Sequence, residues 1–566
     1  MRGTGGRLLY ETLKSYGVTC LFGMEDPIHV FHAVDRAATR IVTIRDEKHG
    51  AIMAHAYAQV TGRPGVCAAT TGPGASNLVT GLLEALRSSV PVVALVQDHP
   101  LRLKGRNASS ELDHEAALAP YVKAVIRIHQ AERVPDMVRR AFRLATGGRP
   151  GPIALLCPTD VMAAEADADT AAEPIYAQYP ALRSRAAADG LLEAARALAK
   201  ARAPLLVAGG GCISSGACVE IAALAERFAV PVATTLLGKG AIADMHPLSV
   251  GVLGSSTGGL YGRGKIPNAL MAEADVVFIM GSRTGQLVFS DWALVQPGAT
   301  VIHLDIAPEE IGRNFATRIP LLGDVRDSLR DLLALSDRHG LARRDPGNGG
   351  RLEVMKEEWR RELAPVATSD RQPMRPERVM AEVERIVDAS TLLVTDASYS
   401  SGWAMSQLSV PVAGRFMLSP RGTASIGWGL PAAIGAKLAD PGRQVVCVTG
   451  DGGFGYVMNE LETAARHAVD MLVIVFNNGT LAFQRHWEEH ALGSYRECDF
   501  LDVDYSEVAR ALRCRGERVR DPADLAAAIG RGLACNGPYL IDAVIDPEAA
   551  APIVGFNKPL PADASH

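Results

Sequence analysis

Short runs of consecutive apolar residues alternate along this chain with segments whose apolar positions recur at helical spacing. Residues 445–448 and 471–476 are apolar without interruption, as expected of parallel strands buried on both faces. Between them Val457, Leu461, Ala464 and Ala465 fall on one stripe, which predicts a crossover helix over 455–467. The same alternation opens the chain: a helix at 8–16, strands at 20–22 and 41–44, a helix at 48–60, a strand at 66–69, then a glycine-rich turn into another helix and strand. Further strands at 204–208, 230–233, 276–280 and 300–304 mark a middle unit. The predicted architecture is α/β, with three doubly wound parallel-sheet domains at 1–165, 186–345 and 372–550. An Ala- and acid-rich stretch, 163–173, and a charged stretch, 341–376, containing Asp345-Pro346-Gly347-Asn348, read as linkers.

Composition narrows the classes without naming one. At 566 residues the chain exceeds a single core. A net charge of -5 gives no electrostatic footprint for nucleic acid or an anionic membrane. The first residues lack an apolar signal core, and no apolar run approaches the roughly 20 residues needed to span a bilayer, so the expected location is cytoplasmic. Nine cysteines are scattered without zinc-type spacing and read as small buried hydrophobes in a reducing compartment.

Candidate chemistry sits at strand ends. Gly450-Asp451-Gly452-Gly453 closes one predicted strand and Asn477-Asn478-Gly479 closes the next. Asp451 and Asn478 therefore fall at the carboxyl ends of two parallel strands, where open α/β sheets bind ligands. A hard carboxylate, an amide oxygen and a glycine turn opening a helix suit a magnesium diphosphate. Each motif alone is an ordinary turn; the pair, one crossover apart, is specific.

In that pairing the chain resembles the thiamine diphosphate enzymes, whose signature is GDG followed one crossover later by NN. The resemblance implies that Asp451, Asn478 and the main-chain carbonyl of Thr480 hold Mg2+, with Gly450, Gly452 and Gly453 against the diphosphate. Residues 45–66 and 69–96 are similar to the pyrimidine-binding domain of the acetolactate synthase branch. There Glu47 matches the carboxylate that bonds the pyrimidine ring nitrogen, with Pro73 and Asn77 beside the cofactor. Proton sharing with that nitrogen would favour the imino tautomer, which removes the proton from thiazolium C2. Residues 419–439 match the stretch that places Ile426 under the bent cofactor, and Ser398 lies in a strand-end turn that contacts it in the family. The similarity runs from about Leu8 to Ile545 and implies pyrimidine-binding, central and diphosphate-binding domains. It also implies a homo-oligomer, dimer or tetramer, with sites shared between subunits.

Substrate residues follow the family less closely. Set against its NNGxLGxxRQW pattern, Leu481, Arg485 and Trp487 match, whereas Ala482 and His486 differ. Phe483 and Trp487, one helical turn apart, are expected to wall the substrate pocket. Where the family has FQE, this chain has Ser109-Ser110-Glu111, which puts Ser110 at the pocket; Leu287 replaces the arginine that would clamp an acceptor carboxylate. Losing that contact costs on the order of 2–5 kcal/mol of acceptor binding. Both changes argue against an authentic acetolactate synthase, and against the FAD that branch carries, which stays an open alternative. His29, His32, His99 and His114 are candidate proton shuttles. The expected function is a thiamine diphosphate- and Mg-dependent carboligase or lyase acting on a 2-keto acid or 2-hydroxy ketone through an enamine. The alternatives are a simple 2-keto acid decarboxylase releasing an aldehyde, and an inactive cofactor-binding partner subunit.

Overall fold

The computed structural model describes residues 1–343 and 348–555. Its frame is three six-stranded sheets, one per unit, with every strand pair inside them parallel. Counting strands in chain order within each sheet, the first and third share the order 2-1-3-4-6-5, and the middle sheet runs 3-2-1-4-5-6. Each order has a central reversal of direction beside its first strand, the first and third turning back again at their last strand, and the crevice at such a central switch point is where these sheets take ligands. In the third sheet the reversal falls between Thr391–Thr395 and Gln444–Gly450. A short antiparallel ribbon, Arg2–Thr4 with Glu165–Asp167, ties the start of the chain to the end of its first unit.

One apolar core runs through the first and third units, because the helices Glu47–Thr61 and Gly429–Ala439 cross at close range. Gly435 makes the crossing possible, since a Cβ there would lie 2.3 Å from the Met53 carbonyl oxygen. Buried polar pairs add register: His49 Nδ1 lies 2.8 Å from Glu460, and Glu84 accepts the N–H groups of Gly422 and Thr423. His55 sits in this same core, 5.5 Å from Trp428 edge to face, with neither ring nitrogen hydrogen-bonded. Burial drives its pKa down to about 4. The unfolded chain takes up a proton near pH 6.5 that the folded chain refuses, so stability present above that pH is lost as pH falls towards about 4. The expected loss from this residue is about 2 kcal/mol by about pH 5. Melting curves between neutral pH and pH 5 check it: His55→Leu should visibly flatten the acid-side fall, and an unchanged slope refutes the assignment.

Two predicted elements differ. The crossover helix is broken into Asp451–Gly455 and Glu460–Arg466, joined by turns in which Tyr456 and Val457 donate to the carbonyls three residues back. Glycine costs a helix interior about 1 kcal/mol each relative to alanine, and this segment opens with Gly452, Gly453 and Gly455. The stretch read as a second linker contains a 20-residue helix, Asn348–Ala367. Its Leu352, Met355 and Trp359 form an apolar stripe on the middle unit, hidden in sequence by the charges around them. Residues 344–347 of that stretch lie outside the described residues, as does the tail from 556. Among the described residues no helix is long and apolar enough to cross a membrane, and all nine cysteines are free.

Candidate active site

The third-unit crevice is built by three strand ends. Gln444–Gly450 delivers Asp451, whose Oδ1 accepts the N–H of Gly452 at 2.8 Å and whose Oδ2 accepts those of Gly479 at 2.7 Å and Asn478 at 3.2 Å. Burial pushes this carboxyl up to about 6. Leu472–Asn477 delivers the Asn pair, and the pair divides its labour. Asn477 donates to Asp542 and to the Val503 carbonyl, so it braces the fold, while Asn478 lines the crevice and its Oδ1 accepts from Thr480 N–H at 3.2 Å.

Thr391–Thr395 supplies the third end, Asp396. This buried carboxylate accepts from the N–H groups of Ala397, Gly427, Trp428 and Gly429 and from the Thr449 hydroxyl, over 2.6–3.3 Å. It therefore fixes the loop that puts Ile426 on the crevice wall. Ser398 adopts φ 66 and ψ -140, a conformation rare outside glycine. Its side chain does not cap the helix Tyr399–Gln407 that follows.

The result is a cavity of about 280 Å³ that brings together Ser398, Ile426, Gly450, Asp451, Gly452, Gly453, Asn478, Thr480 and Phe483. Trp487 does not line it; that side chain is 45% exposed on the helix Ala482–Leu492, and Phe483 is 39% exposed, so neither is core packing. Gly450 faces open space, whereas Gly453 packs so tightly that a Cβ would lie 2.9 Å from Asp396 Oδ2. The helix opening at Asp451 is a single turn, so individual N–H groups rather than a macrodipole act there. Among the described residues no three His, Cys, Asp or Glu side chains gather as a metal site. One carboxylate, one amide oxygen and a carbonyl are hard ligands that leave further coordination to a diphosphate, which fits the expected ion.

A second group forms in the first unit. Glu47, 4% exposed, opens the helix Glu47–Thr61 and accepts from Asn77 Nδ2 at 3.0 Å. Gly74 leaves room for it, since a Cβ there would be 2.9 Å from Glu47 Oε1. Pro73 starts the short helix Pro73–Asn77, and the Ser110 carbonyl lies hard against Gly72. His114 accepts from Gly72 N–H at 3.1 Å and contacts Asp98, which also binds Arg127. It thus braces the turn, and burial keeps its pKa low. Neither His29, His32, His99 nor His114 lines the third-unit cavity, and nor do Glu47, Pro73, Asn77 and Ser110.

A separate cavity of about 590 Å³ occupies the middle sheet's switch point. The Gly209 turn, which opens the helix Gly210–Ser215, forms one edge; Gly281, Ser282 and Arg283 form the other. Arg87, Arg149, Arg283, Arg313 and Arg421 face it together with Asp305 and Glu310. Leu287 lines this cavity and not the third-unit crevice.

Family descriptions match all three units: "Thiamine pyrophosphate enzyme, N-terminal TPP binding domain" over residues 3–117, "central domain" over 191–332 and "C-terminal TPP binding domain" over 396–543. The chain belongs to the thiamine pyrophosphate enzymes. Relatives in the family include a "Probable acetolactate synthase large subunit" of Methanocaldococcus jannaschii, 33% identical across 97% of this chain and 93% of that protein. An "Acetolactate synthase" of Arthrospira platensis is 34% identical across 96% and 94%, and the "Acetolactate synthase large subunit" of Lactococcus lactis subsp. lactis is 30% identical across 96% and 92%. This protein is thus a thiamine pyrophosphate-dependent enzyme of acetolactate synthase-like type. The sequence places Asp396 and Tyr399 in the strand-end turn 396–401 that contacts cofactor or substrate in the family, but it carries no signal that Asp396 holds the 427–429 loop or that Tyr399 pairs with His486, 87 residues away.

Proposed function

We propose that this enzyme is a thiamine diphosphate- and Mg-dependent carboligase or lyase that makes or breaks a carbon–carbon bond of a 2-keto acid or 2-hydroxy ketone. The convergence of Asp451, Asn478, Thr480 and Ile426 on one crevice carries this reading. When bound, the cofactor supplies a thiazolium carbon that adds to a carbonyl and takes up the electron pair of a breaking bond. In this reading Asp451, Asn478 and the Thr480 carbonyl hold Mg2+, the Gly450–Gly453 turn carries the diphosphate, and Ile426 and Ser398 shape the cofactor's seat. Glu47 takes the pyrimidine nitrogen, with Pro73 and Asn77 beside it.

Because Glu47 and the crevice do not share a cavity within one chain, the complete site is assigned to two copies of the chain. Exposed apolar side chains at the crevice mouth, Ile426, Phe483 and Phe500, support such a pairing. Burying them against a second copy removes apolar surface from water. The arginine-rich middle cavity keeps flavin in play, since such a site suits an anionic dinucleotide at a switch point.

The deciding experiment incubates the protein with cofactor, Mg2+ and a panel of keto acids and aldehydes, identifying products by mass. Hydroxy ketone products, or their cleavage, are expected. Aldehyde and carbon dioxide alone would establish the simple decarboxylase, and no turnover with any pair would favour a partner subunit. Visible absorbance of the same sample shows whether flavin is carried.

A further inference from the structure

We propose that Tyr399 and His486 form a hydroxyl–imidazole relay that takes a proton from a substrate hydroxyl in the third-unit crevice. It rests on that crevice being the thiamine diphosphate site. The direction of the relay follows from what each partner is able to do. His486 Nε2 is 3.1 Å from the Pro547 carbonyl oxygen, which only accepts, so Nε2 carries the hydrogen and Nδ1 presents its lone pair. The Tyr399 hydroxyl, 2.9 Å from Nδ1, therefore donates to it. The remaining lone pairs of that hydroxyl oxygen are left for a third partner, and Tyr399 is a lining residue of the crevice, edge-on to Phe483 at 5.8 Å.

The step balances within these groups. The substrate O–H breaks and its proton bonds to the Tyr399 oxygen; the former Tyr399 proton bonds to His486 Nδ1. The substrate oxygen keeps the electron pair as an alkoxide, and the imidazolium is held through Nε2–H by the Pro547 carbonyl. A 2-hydroxy ketone is released or cleaved through loss of such a hydroxyl proton, so the relay serves carboligase and lyase directions alike. Charged groups facing His486 are Arg485 and Glu489 on its own helix and Glu548 beyond Pro547, with Arg485 paired to both acids. Burial outweighs them, keeping the imidazole neutral and its pKa below the ordinary histidine value, while burial also holds the Tyr399 phenol protonated. The strained backbone of Ser398 immediately precedes Tyr399, as strain at a working site would.

Tyr399→Phe and His486→Gln in the full-length holoenzyme test it. Both should lower kcat by about a hundredfold, leave cofactor affinity unchanged, and erase the acid limb of the pH–rate profile. Exchange of the cofactor's C2 proton should stay at the wild-type rate. In the cofactor-free protein, imidazole NMR should show the Nε2–H tautomer, and Tyr399→Phe, by removing a donor to the neutral ring, should raise the titration of His486. Wild-type kcat with an intact acid limb in Tyr399→Phe, or an Nδ1–H tautomer, overturns the relay alone. Absence of C2 exchange in the wild-type protein would instead overturn the reading of the crevice, and the relay with it.

Discussion

Replacing Glu47 by Gln is expected to cut turnover by roughly 100- to 10,000-fold while the folded chain still binds cofactor and Mg2+. Glu47 is buried, held by Asn77 and closely approached at Gly74, so glutamine occupies the same volume and still accepts from the Asn77 amide. What the substitution removes is the carboxylate that shares a proton with the pyrimidine nitrogen. Steady-state turnover and hydrogen exchange at cofactor C2 should fall together. Wild-type exchange in the glutamine variant would show that the first-unit cluster does not activate the cofactor.

Asp451→Asn should abolish Mg-dependent cofactor binding. At a cofactor concentration about 100 times Kd, the wild-type chain gains about 2.7 kcal/mol from the ligand, and the variant should gain none of it. Asparagine has one accepting oxygen for two occupied sides, so its NH2 would confront either the Gly452 N–H or those of Gly479 and Asn478, at a cost of about 1–3 kcal/mol to the cofactor-free protein. The quantity to compare is therefore the cofactor-induced shift in melting temperature, not the melting temperature itself. A full shift in Asp451→Asn would remove the proposed metal site. Joining the two variants tests the shared site directly: when Glu47→Gln and Asp451→Asn chains are co-assembled, one site of each mixed dimer is intact, and activity should return to about a quarter of wild type. If a single chain held the whole site, mixing would restore nothing.

The dual-strand-end logic of Asp451 and Asn478 was legible in sequence because it depends on local facts. Two short uninterrupted apolar runs, each closed by a glycine- or asparagine-rich turn, are expected of buried parallel strands, whose closing turns then lie at one edge of a sheet. The three-unit α/β plan was legible for the same reason, as alternation of apolar runs and helical stripes recurs through the chain. Elements were less clear where local signals conflict. The crossover at 455–467 showed a helical stripe, but the glycines before it stop propagation, and the helix Asn348–Ala367 hid its apolar stripe among charges.

Tertiary structure decided what depends on long-range contact. Asp396 became the hub of the crevice only because the fold brings the N–H groups of Gly427, Trp428 and Gly429 around a strand end that precedes them by about 30 residues. His114 turned from a candidate shuttle into a brace because its two nitrogens are occupied by Gly72 and the Asp98 carboxylate. Trp487 and Leu287 fell outside the crevice although each aligned with a pocket position. Asp451 and Asn478 are set by periodicity and turn chemistry, which the chain carries locally; the partners of Asp396, His114 and Tyr399 are set by packing, which no local pattern records.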